Sequence, residues 1–298
     1  MLSIGMLIRR LLMDWKIKAF IKFAEMIKPG WRANCLANVL LLPLKLIGPR
    51  RKVAEKNIEL VFPEKTPAER KRILYKSYDN MVWTGIEMLA WQKDPSMIDK
   101  WVAEVEGREN IEKALAEGRG IIVLSAHVGN WEHAAAWIGR NYKAFGVVRH
   151  SDSQFQKELI NTLRETSGLR ILGKEEPMVR ALGILRRNEM LGLLSDQHGG
   201  KEGIEVPFFG QNTSTVQGAA VFAWLTGAPV IPVQGLRLAP FRFKIIIGQP
   251  IKWEKGPDRA ACIRKLTELA NKELEKMIRR APEQWLWQHR RFRELIPG

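Results

Sequence analysis

The chain has 298 residues, and its 48 Lys and Arg outnumber 32 Asp and Glu to leave a formal charge of +16. That length buries a sizeable core in one large domain or two modest ones and excludes a stapled mini-protein; the charge asks for an anionic partner, whether nucleic acid, anionic lipid or an acidic carrier protein. The two cysteines, Cys35 and Cys262, form no CxxC spacing, which excludes a disulfide framework and a zinc signature and leaves two free thiols in a reducing compartment.

The basic excess is concentrated at the N-terminal end, where residues 1–56 hold twelve Lys or Arg against three acids. Residues 6–27 set Leu7, Leu11, Trp15, Phe20 and Phe23 at largely helical spacing among Arg9, Arg10, Lys16, Lys18 and Lys22. A basic amphipathic helix of this kind lies in a bilayer interface with its cations near lipid phosphates. The interrupting charges depart from the signal-peptide pattern, so the segment is expected to be retained. The next segment, CLANVLLLPLKLIG (35–48), is broken by Pro43 and Lys45 and is too short to span a bilayer. With Trp31 on one side and Arg50, Arg51 and Lys52 on the other, it extends the interfacial pattern. Residues 1–60 are therefore expected to be a basic, membrane-contacting segment and residues 61–298 an α/β domain.

Thr66-Pro67-Ala68-Glu69 is a capping box with proline in the first helical turn, and apolar spacing continues through Ile73, Leu74, Met81, Ile86 and Leu89. Beyond it, short apolar runs at 120–125, 144–148, 190–195, 229–235 and 243–248 predict buried strands. Helical stretches at 132–140, 153–166, 175–188 and 215–226 separate most of them, and a long helix over about 258–280 closes the chain. This alternation predicts a layered α/β fold, with a mostly parallel central sheet flanked by helices.

The stretch LSAHVGNWEHAA (124–135) carries the first chemistry. Residues five apart in one helix point about 140° away from each other, so His127 and Glu132 meet only if a helix begins between them. Asn130 is a suitable N-cap. It leaves His127 on the loop after a strand and Glu132 in the first turn, where the carboxylate could accept from one imidazole nitrogen and raise the basicity of the other. On spacing alone a strand-ending histidine and a helix-capping acid explain the stretch better than a catalytic pair does. His150, His198 and His289 are scattered and no HExxH occurs, so no metal site is expected. A serine-hydrolase elbow, a P-loop and a dinucleotide fingerprint are all missing.

HVGNWE resembles the H-x4-D/E motif of glycerolipid-type acyltransferases, in the form found in the bacterial lipid A biosynthesis acyltransferase family. Four further blocks follow that family's order: Arg50-Arg51-Lys52 with Asn57 and VFPE (61–64); VVRHSDSQFQKELINTLRETSG, carrying Arg149 and Arg164; the segment from SDQHGG to GAPVIP; and PEQWLWQHRRFR (282–293). The resemblance covers roughly residues 50–293. It implies a glycerolipid acyltransferase-like fold and transfer of a fatty acyl chain from an acyl carrier protein or coenzyme A thioester to a hydroxyl of a membrane glycolipid. The acceptor is then a lipid A precursor or a related glycolipid such as a mannosylated phosphatidylinositol, and the place is the cytoplasmic face of the bacterial inner membrane. His127 would be the base, Glu132 its orienting partner, and Arg149, Arg164 and Asp196 the substrate-binding groups, with no cofactor and no metal.

Thr213, Ser214 and Thr215 are expected to cap the helix beginning near Val216, while Trp285, Trp287 and His289 are expected to pack and Arg290 and Arg291 to touch lipid. The competing class, a non-catalytic basic module for anionic membrane or nucleic acid, would be indifferent to His127. Its nucleic-acid form is disfavoured because the basic segment is interleaved with Leu and Ile rather than stacking aromatics.

Overall fold

The computed structural model describes Trp15, residues 18–148 and residues 153–296. Helix α1 (Trp31–Ile47) accommodates Pro43 and ends at Gly48 in the left-handed conformation. Its Ala33, Ala37 and Leu41 are buried, and it packs on α3 (Pro67–Ala90). Between them α2 (Arg51–Val61) buries Ala54, Ile58 and Val61. Residues 51–60 thus join the same apolar core as the sheet. The capping box at the start of α3 forms as the sequence predicts: Thr66 Oγ1 accepts from the Glu69 amide at 3.3 Å, and Glu69 Oε2 accepts from the Thr66 amide at 2.8 Å.

Among the described residues seven strands form one sheet, in the order β1 (Val102–Glu106), β9 (Arg242–Ile247), β8 (Val230–Ala239), β2 (Ile121–Ser125), β5 (Met190–Leu194), β3 (Ala144–Val148) and β4 (Arg170–Gly173). Only the β8–β9 pairing is antiparallel, so the mostly parallel layered fold holds. The two strands of this sheet missed in the sequence, β1 and β4, are its edges. Edge strands are short and carry charge, here Glu104, Glu106 and Arg170, which erases the apolar run used to find the others.

Helices α4 (Arg108–Ala116), α5 (Trp131–Asn141), α6 (Gln154–Glu165), α7 (Met178–Arg186), α8 (Gly218–Thr226) and α9 (Arg259–Arg280) complete the layers. One expectation is corrected. Thr213–Thr215 do not cap a helix; they end the strand β7 (Gln211–Thr215), which pairs with β6 (Ile204–Phe208) as a two-stranded hairpin, and α8 starts only at Gly218. β-Branched threonines suit a pleated strand, and their hydroxyls are engaged by Arg291 and its backbone.

Candidate active site

Strands β2 and β5 are parallel neighbours with Ser125 opposite Leu194, and the Ser195 amide continues the ladder to Ser125 O at 3.0 Å. Each chain then runs two residues past its strand. Equal offsets from an in-register pair bring His127 and Asp196 together at the carboxyl ends of the strands, where open α/β sheets place their sites. Asp196 Oδ1 lies 2.8 Å from His127 Nδ1, and Asp196 Oδ2 accepts the His127 amide at 3.0 Å and the Trp285 indole N–H at 2.7 Å. Facing a carboxylate, Nδ1 carries the proton. Nε2 is then left as the free basic nitrogen, with the Gln197 amide 3.5 Å away.

Asn130 caps α5 as predicted, accepting the His133 amide at 2.8 Å. The turn before the cap is fixed from three sides. The Asn130 amide donates to Gly235 O at 2.7 Å, the Gly129 amide to Gln284 O at 3.0 Å, and the Leu286 amide to His127 O at 3.0 Å. Gly129 has φ +69, and a Cβ there would collide with Gly235 O. Only glycine lets the turn lie this close to β8.

The two carboxylates divide differently from the sequence expectation. Glu132 does not accept from the imidazole. It takes a two-pronged bond from Arg164, Nε to Oε2 at 3.0 Å and Nη2 to Oε1 at 2.6 Å, with the Trp131 indole 3.3 Å from Oε1. The first turn of α5 aims Glu132 at α6, whereas strand register aims Asp196 at His127. Asp196, expected to bind substrate, is 1% exposed and spends both oxygens on His127 and Trp285. Arg149 lies outside the described residues.

Electrostatics follow the contacts. Burial alone would push the Asp196 pKa up, but the His127 charge and the hydrogen bonds from His127 and Trp285 outweigh it and hold the carboxyl at about 2. Burial likewise pulls His127 down, yet Asp196 and, at longer range, Glu132 overcome it and raise the imidazole above its ordinary value. Glu132 is held low against burial by Arg164, and Arg164 is raised by Glu132 in turn. The nearby His289 is pushed by burial to about 4 and stays neutral.

Beside this cluster an apolar cavity, open in part to solvent, runs between α5 and the sheet. Trp131, Glu132 and Arg164 line it near His127, whose ring is 5.2 Å from the Trp131 ring; Val123, Gly192 and Gly146 form its floor. The described residues contain no group of three His, Cys, Asp or Glu able to hold a metal ion.

The C-terminal segment contributes more than packing. Trp285 fastens Asp196, and Asn57 from α2 binds the Trp287 and His289 carbonyls at 2.7 and 2.8 Å. A sequence shows an indole in an aromatic run, and nothing local distinguishes one that holds a carboxylate 89 residues away. Arg291, expected to touch lipid, is fully buried; it donates to Thr213, Ser214 O and Thr215 and stacks 4.4 Å over Phe208.

A histidine held by a buried carboxylate thus sits against Trp131, which lines an apolar cavity between α5 and the sheet. The chain matches the profile of the bacterial lipid A biosynthesis acyltransferase family over residues 3–294. It is 28% identical over 248 residues to the lipid A biosynthesis palmitoleoyltransferase of Escherichia coli K12, covering 82% of this chain and 79% of that protein. The lauroyltransferase of the same organism is also 28% identical, over 86% of this chain and 83% of its own length. A phosphatidylinositol mannoside acyltransferase of Mycobacterium tuberculosis is 31% identical over a shorter stretch, 43% of this chain and 42% of that protein. The chain belongs to the bacterial lipid A biosynthesis acyltransferase family and is an acyltransferase.

Proposed function

We propose that this acyltransferase moves a fatty acyl chain from a thioester of acyl carrier protein or coenzyme A to a hydroxyl of a membrane glycolipid, a lipid A precursor in the first instance, with His127 as general base. The observation that carries the reading is the Asp196–His127 hydrogen bond, which makes Nε2 the basic nitrogen of a ring that packs against Trp131 of the apolar cavity. Nε2 takes the proton of the acceptor hydroxyl, and the oxygen attacks the thioester carbonyl. The tetrahedral intermediate collapses with C–S cleavage, and the departing thiolate takes the proton back from the imidazolium. No acyl-enzyme and no cofactor enters this scheme. Asp196 acts as a positioning residue. Glu132 holds Arg164 at the rim, where a guanidinium suits an anionic head group or the phosphate of the donor.

A general base of this kind contributes about 10²- to 10⁴-fold. In purified protein His127→Ala should therefore lose transfer of radiolabelled acyl chain to lipid by at least about 10²-fold while its circular dichroism is unchanged; full activity would remove His127 from the mechanism. Formation of free fatty acid without acylated lipid would assign the site to hydrolysis.

Attachment to an anionic membrane surface, on the cytoplasmic face of the inner membrane, is the second part of the proposal. No helix among the described residues is long and apolar enough to cross a membrane. On α1, however, Trp31, Val39, Leu42 and Leu46 form one stripe, exposed by 71%, 68%, 63% and 76%, with Arg50, Arg51 and Lys52 just beyond the helix. Such a stripe beside cations suits an interfacial helix. Leu42→Glu with Leu46→Glu should cut co-sedimentation with phosphatidylglycerol vesicles, since neither side chain supports the core; undiminished binding would move the contact elsewhere. The +9 balance expected of residues 1–56 draws partly on residues 1–14, 16 and 17, which lie outside the described residues.

A further inference from the structure

The cavity beneath α5 has a floor of unusual composition. In the parallel sheet Gly192 of β5 lies opposite Val123 of β2 on one side and Gly146 of β3 on the other, so two of three adjacent strands present no side chain at the same level. One level nearer the site the pair is Ser125 and Leu194, and one level further away Ala144 faces Met190. The floor is bare at one row only.

Backbone geometry does not explain Gly192. It lies within a regular strand, its φ is not positive, and a Cβ built on it meets only Phe145 O at 3.5 Å and Gly146 Cα at 3.9 Å, ordinary contacts. Glycine weakens a strand interior and marks a place where something else comes close. The space above Gly192 belongs to the cavity. At Gly146 a Cβ would meet Leu169 Cδ2 at 3.3 Å, and Leu169, 6% exposed, walls the cavity there. Gly192 precedes Asp196 by four residues, about 13 Å along the strand direction. A medium-length acyl chain with its carbonyl at His127 and its tail under α5 reaches this row.

We propose that Gly192 and Gly146 determine which acyl chain length this enzyme takes: the bare row admits the methyl end of the chain across the sheet, and Leu169 stops it. The inference rests on the acyl-transfer reading above and adds the residues that select the donor. A side chain at Gly192 fills space that the tail occupies, so it penalises long chains and spares short ones. Each methylene denied burial costs about fourfold, and a pocket that clashes with a chain end discriminates by about tenfold or more.

The test uses the full chain and Gly192→Ala, Gly192→Val and Leu169→Ala, with two readouts. One is displacement of a fluorescent fatty acid by saturated fatty acids from octanoate to stearate. The other is competition between decanoyl and palmitoyl thioesters for transfer to lipid. Gly192→Val should weaken the longest acids by about tenfold or more and barely affect the short ones, shifting transfer toward the decanoyl donor. Gly192→Ala should act in the same direction by less and remains informative if the valine variant fails to fold. Leu169→Ala should favour longer chains. An unchanged length profile in variants with a native unfolding transition overturns the proposal, as does an equal loss at every length. If the native protein binds acids with this length dependence but transfers from no donor, the pocket assignment stands and the reaction reading falls. Transfer with a length profile that no variant alters gives the converse.

Discussion

Two buried carboxylate–guanidinium pairs flank the start of α5, and their surroundings differ. Glu87 on α3 is fully buried and accepts from Arg237 of β8, from the Asn130 side chain at 2.7 Å and from the Phe241 amide at 3.0 Å. Arg237 also reaches Asn80 and Thr84, so the pair is enclosed by protein donors and acceptors. Glu132 and Arg164, by contrast, bond each other two-pronged on a cavity wall, with side chains 12% and 20% exposed. The same chemistry is a strut in one place and a rim in the other. What separates them is the empty space beside the second pair.

Several variants sharpen or break this contrast. The largest effect is expected at the carboxylate that touches the base. In Asp196→Asn the amide no longer fixes the proton on Nδ1, and transfer should fall by about 10³-fold or more. The pH profile gives the sign: Asp196 raises the imidazole pKa against burial, so activity in the native enzyme rises with pH through a value raised from that of a free histidine. In the variant burial acts with less opposition, and that acid limb should move to lower pH. A limb that stays in place would show that Asp196 does not set the protonation of His127.

Next come the two pairs themselves. Glu87→Gln leaves Arg237 charged and buried, and removal of one partner from such a pair costs about 3–5 kcal/mol, read as a lowered urea midpoint. Glu132→Gln should cost less stability, because Arg164 keeps contact with solvent, yet lower transfer more per folded molecule. The reverse ordering, with Glu87 governing turnover and Glu132 governing stability, would erase the distinction between strut and rim.

At neutral pH the smallest effect lies one residue along α5. His133 is fully buried, stacks 3.9 Å from the Phe243 ring, and is driven by burial from 6.5 to about 3. The unfolded chain takes up a proton below pH 6.5 while the folded one waits until about pH 3. Stability therefore falls as the pH drops across that window, by about 1.4 kcal/mol per unit. His133→Phe should flatten that slope in urea titrations while leaving activity at neutral pH in place; an unchanged slope would assign it to other groups.

Much of the fold was legible because local rules produce it. The capping box at Thr66, the Asn130 cap and the central strands are all read from composition and period, and the tertiary structure does not contest them. The edge strands escaped because their charge hides the pattern, and the Thr213–Thr215 strand was mistaken for a cap because threonine serves both purposes. At the site, His127 and the boundary of α5 were evident, and Asp196 was named, though as a substrate-binding group. The pairing of carboxylates was not evident. The H-x4-E resemblance pointed to Glu132 as the imidazole partner, while the partner came from 69 residues away.

By itself, then, the sequence determined the layered class of the fold, the strand-to-helix turn that exposes His127 and the family to which the chain belongs, since these depend on residue order within a few turns or strands. Only the tertiary structure decided which acid holds the imidazole, which tryptophan holds that acid, and where the sheet is bare enough for a chain to lie. Those outcomes depend on strand register and on the segments that cross over the sheet. A register places residues from distant parts of the chain side by side without leaving a local signature in any of them.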